Sequence, residues 1–401
     1  MSIPVNLRTG RFAVTTTFVV HGTLSGAWAP RIPEIKAHLH LSAGSLGLAL
    51  LAPALGTVLA ARTAGHRTAR HSSGAVTRVL AIGFCATAWL PGVAWNLGSL
   101  FVALLLWGAS MGALDIAMNA QGVTVEKHYR RPVLSSFHAA WSLGAFAGAL
   151  LGGVGVATHL HISLQQLAIG VIAAGAVLVV GRHFLPDEAH ELQERTRRFK
   201  RPGRPQSRLV LLGLAAICAL LAEGAVADWS GVLLRDHLDV KGGWVGAGYA
   251  CFAVLMTAGR VVGDRAVHAF GRATSFAVCA VVGAVGIGAG LAVDRPVAAV
   301  IGFGALGLGL SIMVPVLFST AADTRGPSGP AIAAVSALGF TGMLGGPSLI
   351  GFIANGTSVH AALLLVAPVT LLAGVLGVAG VRLTARINRS RVPNAQFASE
   401  K

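Results

Sequence analysis

The sequence predicts an all-α membrane protein with twelve transmembrane helices in two six-helix halves. Hydrophobic residues make up 54% of the 401 residues and charged residues only 11%, whereas a soluble domain normally carries about 25% charged residues. Apolar stretches of about 20 residues, the length that crosses a bilayer, recur along nearly the whole chain. We expect spans near residues 12–33, 43–62, 76–96, 99–125, 133–157, 164–184, 208–232, 244–262, 273–292, 296–318, 330–354 and 361–382.

The distribution of Lys and Arg predicts the orientation of these spans, because cytoplasmic loops carry an excess of both. Few of them fall on the side away from the termini: Arg31, Lys36, Arg235, Lys241 and Arg295. The sequence therefore predicts a multi-pass protein of the cytoplasmic (inner) membrane with both termini in the cytoplasm. The same asymmetry explains the formal net charge of +16 without a nucleic-acid partner.

Weak internal symmetry predicts a boundary between two halves in the middle of the chain. The first and seventh spans share a Gly, a Trp and an Arg in the same order, and the fifth and eleventh share repeated glycines. The longest hydrophilic stretch lies between the sixth and seventh spans. We therefore expect an N-terminal six-helix half at 1–185, a cytoplasmic linker at 186–207, and a C-terminal six-helix half with a short cytoplasmic tail at 208–401.

Several kinds of site are not indicated by any motif. The four cysteines lie in apolar stretches and none forms a C-x-x-C pair, which predicts neither a disulfide framework nor a metal site. The sequence lacks a P-loop, an H-E-x-x-H and a G-x-S-x-G motif. It therefore predicts neither an enzyme nor a cofactor, and it predicts transport driven by an ion or solute gradient rather than by ATP.

Ionisable residues inside membrane helices usually face a polar pathway, because they are costly in lipid. Asp115 lies deep in the fourth span, and Asn119 shares its helix face four residues later. A carboxylate beside an amide suits reversible protonation coupled to hydrogen bonding of a polar solute. We expect Gln121 to join them at a solute site, and the alternative is a structural hydrogen bond from Asp115 to a neighbouring helix.

The seventh and fifth spans supply the remaining candidates. Glu223 is a second candidate for proton coupling, and Asp228 with Trp229 is a candidate for solute binding. The alternative for Asp228 is an ion pair with Arg31 or Arg235 at the outer mouth. In the fifth span, an imidazole, an indole and a hydroxyl offer hydrogen bonds and stacking to a solute. These side chains belong to His138, Trp141 and Ser142, and the alternative for His138 is a packing role.

A charged segment after the eighth span predicts an inner gate. Asp264 and Arg265 form an acid-base pair at the expected cytoplasmic end of that helix, where a pair that locks and releases would control the motion of one half against the other. Arg31 is the gate candidate on the outer side, and a local pair with Glu34 is its alternative.

The motif Gly259-Arg260-x-x-Gly263-Asp264-Arg265-x5-Gly271-Arg272 resembles the cytoplasmic signature of the major facilitator superfamily. Five further stretches, which lie along nearly the whole chain, resemble the YbjJ-like branch, which is related to the fucose permease group. These stretches are residues 28–34, 115–122, 135–142, 222–230 and 314–318. The resemblance implies a twelve-helix rocker-switch fold. It also implies that Asp115 corresponds to the acidic residue on the fourth span that is protonated in fucose permease.

We therefore expect a proton-coupled secondary transporter of a small organic solute, working as a monomer in the lipid bilayer. The alternative within the same class is proton-antiport efflux of a drug-like or toxic metabolite. The alternative from another class is a membrane receptor or scaffold that does not transport and that binds a partner through the segment at 186–206.

Overall fold

The computed structural model describes residues 5–129, 133–186, 207–323 and 328–389, which form α-helices and their connections without a β-strand. We label the twelve long helices α1 to α12. They are α1 Val5–Trp28, α2 Ala43–Arg70, α3 Ser73–Thr87, α4 Leu97–Tyr129, α5 Leu134–Ala157, α6 Ile162–Val180, α7 Ser207–Val232, α8 Ala247–Phe270, α9 Arg272–Ala292, α10 Pro296–Leu310, α11 Ser328–Gly356 and α12 Val366–Arg389. The shorter helical segments are Ala29–Arg31, Ile32–His38, Leu90–Val93, Gly181–His183, Leu233–His237, Gly242–Gly246, Met313–Ala322 and Val359–Leu364.

Eleven helical regions among the described residues are long and apolar enough to cross a membrane, and they correspond to α2 to α12. The helix α1 has 24 residues, which is long enough to span, but it carries Arg8, Arg11 and His21 and falls outside this group. The predicted all-α membrane fold is confirmed. Two short segments follow α1 at the prolines of residues 30 and 33, because proline ends or kinks a helix.

The first six and the last six long helices have the same order of neighbours. In the first half, α1 packs on α5, α2 and α3 pack on α4, and α1 and α3 pack on α6. In the second half, α7 packs on α11, α8 and α9 pack on α10, and α7 and α9 pack on α12. A duplicated six-helix unit produces this repetition. The linker expected between the halves lies, but for its two end residues, outside the described residues.

Glycine allows the closest of these helix pairs to form. A Cβ atom added to Gly148 on α5 would lie 2.1 Å from the carbonyl oxygen of Thr23 on α1, and one added to Gly342 on α11 would lie 2.1 Å from the carbonyl oxygen of Ile217 on α7. Small residues let membrane helices approach until their backbones touch. The two equivalent helix pairs therefore depend on the same kind of contact.

The two halves meet mainly at one face of the bundle. The chain enters α1 and leaves α12 at what we call the terminal face, and we call the opposite side the distal face. At the distal face α2 contacts α11, where Gly47 and Gly351 pack backbone against backbone, and α5 contacts the segment before α8 through Gly153 and Gly243. Contacts between the halves therefore hold the distal side of the bundle together.

Serine caps begin two helices at this face. The side-chain oxygen of Ser42 accepts a hydrogen bond of 3.1 Å from the backbone N–H of Ser45 at the start of α2. The side-chain oxygen of Ser358 accepts one of 3.0 Å from the N–H of Ala361, at the start of the short helix before α12. Such caps satisfy N–H groups that a helix cannot pair internally. They fix where the chain re-enters the bundle after α1 and after α11.

Candidate functional site

The predicted pair on α4 forms a direct contact. The side-chain amide of Asn119 donates to Asp115 Oδ1 at 3.1 Å and to the Asp115 backbone carbonyl at 2.9 Å. Both residues are half-buried. Met111, one turn before Asp115, lies on the same helix face and contacts the hydroxyl of Ser25 on α1 through its sulfur at 3.9 Å. The face that carries Asp115 is therefore turned toward α1.

A buried histidine connects α1, α4 and α5. The indole Nε1 of Trp141 donates to Nδ1 of His21 at 2.8 Å, and Nε2 of His21 lies 3.3 Å from the carbonyl oxygen of Met111. Because an indole N–H only donates, Nδ1 of His21 must accept, and its Nε2–H then donates to Met111. The imidazole is thus neutral in this arrangement. It also stacks on Phe84, with ring centroids 4.9 Å apart.

The cluster continues across the boundary between the halves. Arg260 on α8 donates from Nη1 to the hydroxyl of Ser142 on α5 at 2.8 Å. The Ser142 hydroxyl in turn donates to the backbone carbonyl of His138 at 3.2 Å. His138 itself is exposed and within electrostatic range of Arg260, and its ring packs edge-on against Phe18 at 5.3 Å. Residues of the fifth span therefore meet a cation from the other half.

One acidic side chain of α7, Glu223, lies near this cation, and a second, Asp228, lies near Tyr249 on α8. Glu223 is within electrostatic range of Arg260, and Tyr249 on α8 is within range of Glu223, Asp228 and Arg260. Both carboxylates are half-buried, and neither has a hydrogen-bond or ion-pair partner within the described parts of the chain. The ion pair considered for Asp228 with Arg31 or Arg235 is not formed. The helix α7 continues without a break through residue 224.

Gln121 and Trp229 lie behind this cluster rather than at an accessible surface. Gln121 is fully buried, where its Oε1 accepts from Ser73 at 2.5 Å and its amide donates to the Leu185 carbonyl at 3.1 Å. Trp229 is also fully buried, and its Nε1 donates to the Pro347 carbonyl at 2.8 Å. In this conformation each residue ties its helix to a neighbour, so neither presents a free polar atom to a solute.

The gate candidates are placed differently from expectation. Gly259 and Asp264 belong to α8, which continues to Phe270, so the motif lies within a helix and not in a loop after it. Arg265 is exposed on that helix, and the Asp264 side chain lies outside the described part. Arg31 is fully buried at the distal face.

Arg31 makes its contacts inside the first half. It donates to the Leu160 carbonyl at 2.5 Å and pairs with Glu34 at 3.1 Å. The local pair with Glu34, considered as the alternative, is therefore present. Across the boundary the distal ion pair is a different one: Lys36 of the first half pairs with Asp236 of the second.

Three residues of the cluster were not predicted as site residues. Arg260 lies near the expected end of the eighth span at residue 262, and the sequence distinguishes it only as part of the motif that begins at Gly259. Tyr249 lies near the start of α8 and was not distinguished by any sequence pattern. His21 is one of several polar residues in the first span. The signal that identifies Arg260 is its spacing, since it lies four residues before Asp264 and thus one turn deeper in the helix.

A family model described as Major Facilitator Superfamily matches residues 14–328. An MFS-type transporter of Yersinia pestis is 34% identical over 348 residues, which cover 86% of this chain and 89% of the relative. A transporter of Sinorhizobium fredii is 31% identical over 364 residues, which cover 90% of this chain and 96% of the relative.

The fold is also similar to a solved structure. A bacterial homologue of the human lysosomal transporter Spinster, in its inward-facing and unoccupied conformation, aligns with a TM-score of 0.73. The alignment covers 96% of this chain and 99% of that chain at 13% identity. This likeness concerns the arrangement of the helices.

Proposed function

This chain belongs to the Major Facilitator Superfamily, and we propose that it carries a small polar organic solute across the cytoplasmic membrane, coupled to protons, by alternating access. The relatives are named as transporters, so the protein is a membrane transporter and not an enzyme. The proposal adds the class of solute, the coupling ion and the residues of the site. It also includes the narrower likeness to the YbjJ-like branch.

The observation that carries the proposal is the cluster of charged residues in the interior of the bundle. Asp115 comes from the first half, and Glu223, Asp228 and Arg260 come from the second. Each charged residue at the centre of a membrane helix costs about 2.5–3.5 kcal/mol on insertion scales, so such residues usually serve a function. Charges contributed by both halves are suited to a solute site that each half can open in turn.

Asp115 and Glu223 are the proposed proton carriers. Asp115 has a single amide neighbour on its own helix, and Glu223 has no hydrogen-bond partner within the described residues. A half-buried carboxyl with few fixed partners can be neutral or charged, depending on which side of the membrane supplies or takes up the proton. Protonation of Glu223 would change how strongly Arg260 is held, and this change would couple the proton to the movement of the halves.

The solute would bind between the carboxyls and Arg260. Polar groups surround that space in the proposal: the amide of Asn119, the imidazole of His138, the hydroxyl of Ser142 and the carboxyl of Asp228. Trp141 would offer its ring for stacking, because its N–H is donated to His21. Gln121 and Trp229 would act by positioning α4 and α7. A charged and polar lining favours a polar solute over a largely apolar one, because buried polar groups need partners. It does not by itself separate uptake from the alternative, which is proton-antiport efflux of a drug-like or toxic metabolite.

The observed conformation would be one state of the cycle. The halves touch at the distal face, so with cytoplasmic termini this is the state closed to the outside. Opening the distal face would break the ion pair of Lys36 with Asp236. Arg31 would support the distal face when it is closed. Asp264 and Arg265 would help to close the terminal face. In this proposal residues 1–185 and 208–401 move as units about the linker at 186–207, within a monomer.

The test begins with a ligand, since a solute that binds the folded transporter raises its thermal stability. Metabolites would be screened on the purified protein in detergent, and the best ligand would be used for transport into proteoliposomes. Asp115→Asn keeps the shape of the side chain but cannot take up a proton. We expect it to abolish accumulation driven by a pH gradient, and to retain exchange of labelled for unlabelled solute.

Asp239→Asn is the matched control, because Asp239 is an exposed aspartate at the distal face. It should behave like the unmodified protein in both assays. Accumulation at the normal rate by Asp115→Asn would overturn the assignment of the proton carrier. A solute that accumulates only when protons leave the vesicle in exchange would favour the antiport alternative.

A further inference from the structure

Three metal-ligating side chains meet at the distal face of the second half, away from the charged cluster of the interior. His237 ends the short π-helical turn that follows α7, Asp294 lies in the turn between α9 and α10, and His360 lies in the short helix before α12. One ligand atom from each of them lies within 4.8 Å of the other two. Three separate segments of the chain therefore converge on one point.

The distances suit a shared ion. His237 Nε2 lies 2.6 Å and His360 Nδ1 lies 3.5 Å from the same oxygen, Oδ1 of Asp294. The two imidazole rings are 4.6 Å apart between centroids. Nitrogen and oxygen ligands bind Zn²⁺ at about 2.0–2.2 Å, so neighbouring ligands around one ion lie roughly 3–3.5 Å apart. Small side-chain rotations would bring all three atoms to that separation.

The local environment also favours a ligand at this point. His360 Nε2 is buried and has no hydrogen-bond partner in the described part of the chain, so Nδ1 is the nitrogen that the ring offers to the cluster. The Asp294 side chain is 54% exposed, which leaves a path from the solution.

We infer that His237, Asp294 and His360 form a binding site for a divalent transition-metal ion, with Zn²⁺ as the best match. Two imidazoles and one carboxylate suit Zn²⁺, whereas Mg²⁺ and Ca²⁺ prefer oxygen ligands throughout. Water would complete the coordination.

A bound ion at this site would have a structural consequence. It would join the ends of α7, α9 and α11 and fix the turn that also carries Asp236, which pairs with Lys36 of the first half. The ion would therefore stabilise the conformation that is closed at the distal face.

The experiment is a ZnCl₂ titration of the full-length protein in detergent, with any affinity tag removed, followed by calorimetry and by the visible absorption of bound Co²⁺. The matched variants are His237→Asn, Asp294→Asn and His360→Asn. His161→Asn is the control, because His161 is an exposed histidine in the turn between α5 and α6 at the same face.

We expect one equivalent of Zn²⁺ to bind the unmodified protein and the control alike. Each of the three variants should weaken binding by about tenfold or more, since even the loss of a residue that only supports a metal ligand costs about 10–100-fold in affinity. A variant that does not fold is recognised by its melting curve without metal. In that case the Zn²⁺ affinity of Asp294→Asn decides whether the site exists, because Asp294 is exposed and its replacement should leave the fold intact. Absence of binding, or equal binding by Asp294→Asn and the unmodified protein, would overturn the site and leave an ordinary hydrogen-bonded cluster.

Discussion

The guanidinium of Arg260 donates a hydrogen bond of 2.8 Å to the hydroxyl of Ser142, and this contact joins α8 of the second half to α5 of the first. Glu223 lies within electrostatic range of the same guanidinium. Arg260 therefore contacts one half through a hydrogen bond and interacts with an acid of its own half through charge. A group in this position responds both to the movement of the halves and to the charge of the acid.

Replacing Arg260 with Gln should lower transport by roughly tenfold to a hundredfold. The change removes a charge-assisted hydrogen bond, which is worth about 1.5–3 kcal/mol, and it leaves Glu223 without its nearby cation. The measurement is the initial rate of solute uptake into proteoliposomes. Arg386→Gln serves as the control because Arg386 is exposed near the end of α12. A rate for Arg260→Gln within twofold of the control would exclude Arg260 from the transport pathway.

The position of Arg260 also shows what sequence patterning supplies and where it stops. Hydropathy predicts the number and approximate limits of the helices, because about 20 apolar residues are needed to cross a bilayer. It does not predict how far a helix continues beyond the bilayer core, and α8 continues to Phe270. A cation near a predicted helix end, such as Arg260, is therefore easily taken for a loop charge. In the structure Arg260 lies well inside α8.

The ion pair between Lys36 and Asp236 should stabilise the conformation that is closed at the distal face. Lys36→Glu replaces attraction with repulsion between the halves, so the distal face should open more often. A partly exposed pair is worth at most about 1 kcal/mol, which corresponds to roughly a fivefold change in the population of the open form. The double variant Lys36→Glu with Asp236→Lys restores opposite charges and should return the population to normal.

The opening can be measured with a cysteine placed at Ser348, which is buried where α11 meets α2. The four native cysteines would first be replaced, and a thiol reagent that does not cross the membrane would be added from the distal side. Lys36→Glu should raise the labelling rate of this cysteine, and the charge-swapped double variant should lower it again. Equal labelling of all three proteins would mean that the ion pair does not influence the conformation.

Two glycines on α11 should differ sharply in their tolerance of alanine. A Cβ atom on Gly342 would lie 2.1 Å from the carbonyl oxygen of Ile217, whereas one on Gly345 would have no neighbour within 4 Å. Gly342→Ala must therefore push α7 and α11 apart, at a cost of about 1–3 kcal/mol. Gly345→Ala should be neutral. The midpoint of thermal unfolding in detergent checks both variants, and similar midpoints would contradict the close helix approach.

The buried side chains Gln121 and Trp229 show why site residues are harder to predict than helices. Each lies among polar residues in a span, where a solute contact and a contact between helices produce the same sequence signal. The choice depends on which neighbour lies opposite: for Gln121 it is Ser73 and the Leu185 carbonyl, and for Trp229 it is the Pro347 carbonyl. These partners are distant in sequence, so local spacing contains no information about them. Asp115 and Asn119 were predictable because both lie on one helix.

Trp141→Phe tests whether the indole holds His21 in place. The phenyl ring keeps most of the apolar contact but cannot donate, so Nδ1 of the buried His21 loses its partner. An unpaired buried polar atom costs about 1–3 kcal/mol, and we expect thermal stability in detergent to fall accordingly. Trp244→Phe is the control, because Trp244 is 77% exposed.

A double-variant cycle separates this hydrogen bond from a general packing defect. In His21→Leu with Trp141→Phe, both polar partners are gone and the apolar contact remains, and removing both partners is much less costly than removing one. The double variant should therefore be more stable than Trp141→Phe alone. The losses of stability in the single variants His21→Leu and Trp141→Phe are compared with the loss in the double variant. If the two single losses simply add, the hydrogen bond between Trp141 and His21 contributes nothing, and the Met111 carbonyl and Phe84 hold the neutral imidazole instead.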